Sequence, residues 1–396
     1  MRRLLIHNAG ELLHPEEAGR GVQRHQGGAI YAEDGRIAWI GPEDALPAAA
    51  ADAPRYDAGG GAVLPALVDA HTHLVFAGER IEDFSLRAQG TSYAEIAARG
   101  GGILTTVRAT RAATVEALAA GARGRLEARR RYGIGTTEVK TGYGLSAEHE
   151  LRMLEVIAAL KAEGHDLEAT LLAAHAVPKD VPRGEYVQSI TQHMIPEAAR
   201  RGLARFVDVF VEKSAYTLEE ARAIFAAAQA HGLIPRIHAD QLSAGGGAGL
   251  AAEVSAASAD HLEHSTDGDL EAMAKAGVVA MLLPAAMTFL GDSAKDLGKR
   301  ARALGVEVAV ATDTNPGSSP MQNLPLAATL AVTTLGLTVE EALRAVTLGG
   351  ARALRRSDVG RLAVGAKARF AILSHPDARS LIYSYGEPIV RDLLEA

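Results

Sequence analysis

Eight short apolar runs recur between residues 66 and 313, and segments of helical length and periodicity separate most of them. In chain order, the runs read ALVDAHTH, IGTTEVK, EATLLAAHAV, RFVDVFVEK, LIPRIHAD, SADHLEH, VVAMLLP and VEVAVATD. Such near-continuous apolar runs are typical of parallel strands that are buried on both faces. Eight of them alternating with helices predict an α/β fold, a parallel (β/α)8 or TIM barrel over residues 63–356.

The two ends of the chain have a different pattern, that of short strands joined by turns. In GAIYAEDGRIAWIG, the pair Asp34-Gly35 lies between two apolar runs and indicates a hairpin, because this pair suits the positive φ of a tight turn. Near the C-terminus, GRLAVGAKARFAIL returns to strand-like alternation. We therefore expect residues 1–62 and 357–396 to form one small β-sandwich domain, with the barrel inserted between its two parts.

Polar side chains stand at the ends of most of the predicted barrel strands. They are His71, His73, Lys140, His175, Glu212, Lys213, His238, Asp240, His261, Glu263, His264 and Asp313. Barrel enzymes have their active sites at this end of the strands. Because residues i and i+2 of a strand face the same way, His71 and His73 can both bind one metal ion. The chain has no cysteine, so the ligands must be nitrogen and oxygen atoms, which suit zinc or iron.

Six stretches carry a family resemblance: VDAHTHLVFAGER, TTEVKTGYGL, DVFVEKSAY, HADQLSAGGG, ADHLEH and ATDTNPGSSP. Together they resemble the amidohydrolase superfamily, over nearly the whole chain. The stretches EVKTGYGL and TDTNPGS are the most specific. Within the superfamily they are similar to those of the enzymes that hydrolyse the cyclic amide of 4-imidazolone-5-propanoate to N-formimino-L-glutamate in histidine degradation.

The resemblance also implies roles for individual residues. It implies one divalent or trivalent metal ion, zinc or iron, bound by His71, His73, His238 and Asp313. It implies His261 and Asp313 as catalytic residues that carry protons. The implied substrate-binding residues are Arg80, Tyr143, His175, Gln241, Asn315, Gly317 and Ser318. Among these, Arg80 is expected to pair with the propionate of the substrate, since its planar fork suits a carboxylate.

Related enzymes with two metals use a modified lysine as a bridging ligand. In this chain Glu212, rather than Lys213, shares the strand parity of Asp208 and Phe210. We therefore expect a single metal ion. Lys140 is expected to form a structural ion pair or hydrogen bond.

Two other functions are compatible with the same residues. The first is that of a sibling mononuclear amidohydrolase, such as a formimino-glutamate iminohydrolase or a heterocycle deaminase. The second is that of a non-catalytic barrel, against which the full set of ligands argues. The net charge of −7 argues against a nucleic-acid partner. No window approaches the roughly 18 apolar residues of a membrane span, so we expect a cytoplasmic protein with a small-molecule substrate. The resemblance adds the expectation of a homodimer.

Overall fold

The computed structural model describes residues 3–91, 95–96 and 99–396. The strands are β1 (Arg3–His7), β2 (Glu11–Pro15), β3 (Val22–Gln26), β4 (Ala29–Glu33), β5 (Arg36–Gly41), β6 (Arg55–Asp57), β7 (Ala62–Pro65), β8 (Leu67–Asp69), β9 (Ile134–Lys140), β10 (Leu167–Ala174), β11 (Phe206–Val211), β12 (Ile234–Ala239), β13 (Ser258–His261), β14 (Val279–Leu282), β15 (Val308–Val310), β16 (Arg369–Leu373) and β17 (Val390–Glu395). The α-helices are α1 (Ile81–Ala88), α2 (Ile103–Ala112), α3 (Val115–Arg130), α4 (Ala147–Ala162), α5 (Arg183–Ser189), α6 (Ile195–Arg200), α7 (Leu218–Ala230), α8 (Gly247–Glu253), α9 (Asp267–Ala276), α10 (Pro284–Leu290), α11 (Leu297–Ala303), α12 (Leu324–Leu335), α13 (Val339–Arg344), α14 (Gly350–Ala353) and α15 (Ser380–Tyr383).

Strands β8 to β15 form a parallel sheet in which each strand pairs with the next in sequence. The first and last strands meet beyond their ends, where the N–H of Asp313 donates to the His71 carbonyl at 3.1 Å and the N–H of His73 donates to the Thr314 carbonyl at 2.9 Å. These bonds close the ring and confirm the predicted barrel. The eighth strand ends at Val310, however, and not at Asp313, whose φ of 52° is left-handed and cannot continue a strand.

The chain ends build two further sheets, in the orders β5-β4-β1-β6 and β17-β16-β7-β2-β3. The second sheet joins strands from both ends of the chain, and one apolar cluster, with Ile6, Leu12, Ile30, Val63, Phe370 and Ile372, lies between the two sheets. This arrangement confirms a β-sandwich built from both chain ends. Strands β2 and β3 were not predicted. In the apolar stretch AVLPALVDA, Ala66 separates β7 of the sandwich from β8 of the barrel.

The barrel interior changes character from the N-terminal to the C-terminal ends of its strands. At the N-terminal ends it is apolar, with Phe206, Ile234 and Val279 in one cluster. Two residues further along β11 and β12 stand the buried charges Asp208 and Arg236. The buried charges Asp208 and Arg236 therefore lie in the upper part of the barrel, directly beneath the site. Among the described residues, no helix is long and apolar enough to cross a bilayer.

Candidate metal centre and substrate pocket

Four side chains at the C-terminal end of the barrel converge on one point. His71 and His73 follow β8, His238 lies near the end of β12, and Asp313 follows β15. The Oδ1 atom of Asp313 is 3.3 Å from Nε2 of His71 and 3.4 Å from Nε2 of His73. The ring centroids of His71 and His238 are 4.6 Å apart. The backbone elements that carry these residues are far apart in sequence, and the closed barrel brings them together.

The donor atoms of this group fit a metal ion. The Nε2 atoms of His71 and His238 are buried and have no hydrogen-bond partner among the residues that the structure describes. Each of the two rings uses its other nitrogen, since Nδ1 lies 2.6 Å from Asp260 Oδ2 and 3.0 Å from Asp208 Oδ1, respectively. A carboxylate accepts, so Nδ1 carries the proton and Nε2 offers a lone pair, as in metal-bound histidines. The His/Asp group is therefore suited to a metal ion.

The protonation states of these side chains follow from burial and from their neighbours. Burial lowers the pKa of His73, and it lowers that of His238 to about 3 although Asp208 acts against it. Burial would also lower the pKa of His71, but the adjoining Asp260 carboxylate raises it. Burial would raise the pKa of Asp313, but His71 and His73 hold it well below its ordinary value. The directions for Asp313, His73 and His238 favour the ionised carboxylate and the neutral imidazoles that bind metal, whereas the raised pKa of His71 favours a protonated ring, which must lose a proton to bind metal.

A buried charged layer lies beneath the centre. Its members are the carboxylates Glu138, Asp208 and Asp260 and the cations Lys140 and Arg236. Lys140 Nζ lies 2.9 Å from Glu138 Oε1 and 2.7 Å from Asp208 Oδ2. Arg236 Nη2 lies 3.1 Å from Asp260 Oδ2. Burial would raise the pKa of Asp260, but Arg236 and Lys140 hold it well below its ordinary value, so it stays an acceptor for His71.

This layer was partly predictable. Lys140 forms the ion pairs expected of it. Asp208 and Asp260 were not recognised as partners of histidines. A charged residue inside an otherwise apolar strand, as in FVDVFV, is the signal that could have identified them, because a buried charge needs a partner.

His261 adjoins the centre from the end of β13. Its ring centroid is 5.4 Å from that of His238 and 5.9 Å from that of His71. Both His261 and Leu262 have positive φ, 82° and 75°, which is unfavourable for side chains other than glycine. Such strain persists where the surroundings fix the backbone, and it is common at functional sites. The left-handed backbone of His261 and Leu262 turns the chain sharply at the point where His261 faces the cluster.

Tyr143 and His175 form an aromatic wall beside the centre. The His175 ring stacks on His73 with centroids 5.1 Å apart, and the Tyr143 ring is 5.5 Å from His175 and 5.9 Å from His73. His175 Nδ1 lies 3.1 Å from the Gly142 carbonyl oxygen, which can only accept. Nδ1 is therefore the donor of His175, and Nε2 remains an acceptor. The structure thus brings these two predicted pocket residues to the metal centre.

The last loop and Arg80 form another wall. The Nε of Arg80 pairs with Asp83. A Cβ atom on Gly317 would lie only 2.6 Å from Arg80 Nη1, so the guanidinium rests directly on this glycine. The structure therefore brings Arg80 and Gly317 into contact, and their substrate-binding roles stay predictions.

The other predicted pocket residues have different surroundings. The Asn315 amide is engaged within its own loop: Oδ1 accepts from the N–H groups of Gly317 and Ser318, each at 2.8 Å, and Nδ2 donates to Ser318 Oγ at 2.9 Å. This residue shapes the turn from inside. Gln241 is half-buried at the start of the loop after β12.

Glu212 and Lys213 lie outside the cluster. The Glu212 carboxylate accepts from the backbone N–H groups of Leu242 and Ser243 at 3.0 and 2.9 Å, and so it holds the loop after β12. Lys213 is exposed. Neither side chain is arranged to bridge two metal ions.

Comparisons with known proteins agree with this geometry. The model of the amidohydrolase family matches residues 62–389. The imidazolonepropionase of Myxococcus xanthus is 44% identical over 99% of this chain and 96% of its own length. That of Deinococcus deserti is 48% identical over 96% of this chain and 93% of its own length. The crystal structure of 5-methylcytosine deaminase from Klebsiella pneumoniae with phosphonocytosine is 19% identical, with a TM-score of 0.73 over 98% of this chain and 95% of that one, which shows the shared fold.

Proposed function

Because this chain belongs to the amidohydrolase family, we propose that it hydrolyses the ring amide of 4-imidazolone-5-propanoate to give N-formimino-L-glutamate. The observation that carries the proposal is 44–48% identity over nearly the full length of two relatives named imidazolonepropionase. The chain is a hydrolase that acts on a cyclic amide C–N bond. The His/Asp group suited to a metal ion supports this reaction, and Arg80, which contacts the loop after Asp313, offers a cation for a substrate carboxylate.

The proposed metal ligands are His71, His73, His238 and Asp313. Three imidazoles and one carboxylate suit one ion of zinc or of iron, and we propose one of these two. When bound, such an ion supplies a Lewis acid that polarises a carbonyl oxygen and makes water more acidic. We further propose that the protein acts as a homodimer in the cytoplasm, on the resemblance of its sequence alone.

The protein's own residues then have distinct tasks in the reaction. Water adds to the ring carbonyl, and the Asp313 carboxylate is the group proposed to accept its proton. His261 delivers a proton to the ring nitrogen as the C–N bond breaks. Arg80 binds the propionate, so that binding energy remote from the reacting carbon orients the ring. His175 and Tyr143 are proposed to flank the ring and exclude water from its faces.

Turnover and its metal dependence test the proposed function. Purified protein is expected to remove the ultraviolet absorbance of 4-imidazolone-5-propanoate. Chelation should abolish this activity, and zinc or iron should restore it, because the barrier to amide hydrolysis falls by several kcal/mol beside a Lewis acid. Metal content is measured on the same samples. Protein that binds one metal per chain without any turnover of this substrate would contradict the proposal, and turnover of N-formimino-L-glutamate instead would establish the sibling iminohydrolase function.

Arg80→Ala is expected to retain its metal and to lose affinity for substrate. Loss of charge-assisted hydrogen bonds to a carboxylate should lower kcat/KM about 100-fold, mainly through KM. Steady-state kinetics and metal analysis measure the two effects separately. The matched control is Arg131→Ala, which removes an exposed arginine between α3 and β9. Unchanged KM in the Arg80 variant would remove its proposed role.

A further inference from the structure

The loop from Gly142 to Leu145, here called the Tyr143 loop, connects β9 to the turn that precedes α4. It carries the Tyr143 ring and the Gly142 carbonyl to which His175 donates. Its backbone is irregular, because Gly142 and Leu145 have positive φ values of 108° and 47°. A loop of this kind makes few hydrogen bonds of its own, so other groups must fix its shape.

A buried glutamate binds the Tyr143 loop through its N–H groups. Glu150, in the first turns of α4, is fully buried. Its Oε2 accepts from the N–H of Gly142 at 2.9 Å, and its Oε1 accepts from the N–H groups of Gly144 and Leu145, each at 2.7 Å. Three backbone donors of one loop thus converge on a single carboxylate. Burial raises the pKa of Glu150, and these three donors act against that rise.

An arginine binds the same loop through its carbonyl groups. Arg111, near the end of α2, donates from Nε to the Gly144 carbonyl at 2.6 Å and from Nη2 to the Leu145 carbonyl at 2.8 Å. Glu150 therefore binds the N–H groups of Gly144 and Leu145, and Arg111 binds their carbonyl groups. The contact is close, since a Cβ on Gly144 would lie 2.6 Å from the Glu150 nitrogen.

Helix capping does not account for the Glu150 side chain. Ser146 is the N-cap of α4, and its hydroxyl accepts from the N–H of His149. Glu148, in the same first turn, already places a negative charge near the helix N-terminus, and it is exposed. The buried carboxylate of Glu150 instead accepts hydrogen bonds from the N–H groups of the loop.

We propose that Glu150 and Arg111 are positioning residues, which fix Tyr143 and His175 against the metal centre and so set the affinity for substrate. The backbone of Gly142 and Gly144 connects Glu150 to both rings. Tyr143 lies between two glycines whose N–H groups Glu150 binds, and His175 donates to the carbonyl of one of them, Gly142. Neither positioning residue touches the reacting atoms. This inference rests on the proposed function, because the affinity in question is that for the imidazolone.

Glu150→Gln tests the inference with little change in volume. A glutamine has one acceptor oxygen, so its NH2 group faces at least one of the three loop N–H groups and leaves it unsatisfied. KM is expected to rise about tenfold, with kcat changed less and metal content unchanged. Glu148→Gln, which changes the exposed glutamate on the same helix, is the matched control and should keep wild-type KM.

A double-mutant cycle separates positioning from a general structural effect. If Glu150 acts through Tyr143 and His175, its effect on KM should shrink to less than about threefold in a background that lacks both rings, Tyr143→Ala with His175→Ala. An undiminished effect in that background would overturn the inference. Arg111→Lys is the second variant. It keeps the charge but cannot reach two carbonyls at once, and it should also raise KM.

Hydrogen–deuterium exchange provides a readout that needs no activity. Amides 142–145 should exchange at least about tenfold faster in Glu150→Gln than in wild type, while the β11 and β12 amides keep their rates. Unchanged exchange in the Tyr143 loop would overturn the inference even if the enzyme is active. If wild type fails to hydrolyse the imidazolone, the proposed function fails, and the exchange rates still decide whether Glu150 fixes this loop.

Discussion

His238→Ala is expected to lose its metal and its activity together. The Nε2 atom of His238 is buried and has no hydrogen-bond partner in the part of the chain that the structure describes, and Nδ1 is fixed by Asp208, so the ring is oriented to bind a metal ion through Nε2. Removing it leaves three of the four proposed ligands. Since the metal contributes several kcal/mol of transition-state stabilisation, kcat/KM should fall by at least about 10³-fold.

Metal analysis and kinetics on the same preparation measure both effects of His238→Ala. The control is His231→Ala, an exposed histidine at the end of α7 that is seven positions earlier in the chain. It should retain both metal and turnover. A His238 variant with one metal per chain and wild-type kinetics would contradict the proposed ligand set. If metal is lost but the fold is not, the near-ultraviolet circular dichroism should stay close to that of the wild type.

His261→Asn is expected to keep the metal and to lose most of its turnover. His261 lies among the centre's histidines, and its proposed task is to carry a proton to the leaving nitrogen. General acid–base catalysis by one group contributes about 10²- to 10⁴-fold, so kcat should fall by that factor with little change in KM.

The metal content of His261→Asn distinguishes two roles. One nitrogen of His261 lies within 4.8 Å of ligand atoms of His71 and His238, so these three could also hold an ion. If His261 were a ligand, the variant would lose metal in parallel with activity, and the proton-carrier role would be wrong. His264→Asn is the control, because this histidine follows on the same segment but is exposed.

The barrel could be predicted because its strands are buried on both faces. Eight apolar runs with polar ends, such as VEVAVATD, indicate strand order and the end at which the site lies. The ends of the strands could not be predicted, since Asp313 leaves β15 through a left-handed φ that no residue pattern announces. The strand pair of β2 and β3 was missed for another reason: its outer strand, VQRHQ, is polar and has no buried residue, so it lacks the alternation of a half-buried strand.

Site residues could be predicted from the sequence where the chemistry requires a particular side chain. They could not be predicted where a side chain binds backbone groups. The cluster of His71, His73 and Asp313 follows from histidines and a carboxylate at strand ends. Glu150 left no such signal, because its partners are N–H groups, which every residue except proline has. Asn315 is a further case. The resemblance implies a substrate contact for it, which stays a prediction, and its amide also forms hydrogen bonds within its own loop.

The closure of the barrel has a consequence for how the protein matures. Asp69 accepts hydrogen bonds from Thr312, 243 residues further along the chain, and the adjoining segments hold His71, His73 and Asp313. Contacts of such long sequence separation are costly in chain entropy and form late in folding. A growing or truncated chain without β15 therefore carries the three proposed histidine ligands but not the Asp313 carboxylate. Binding by the full proposed ligand set thus requires that the ring has closed through β15.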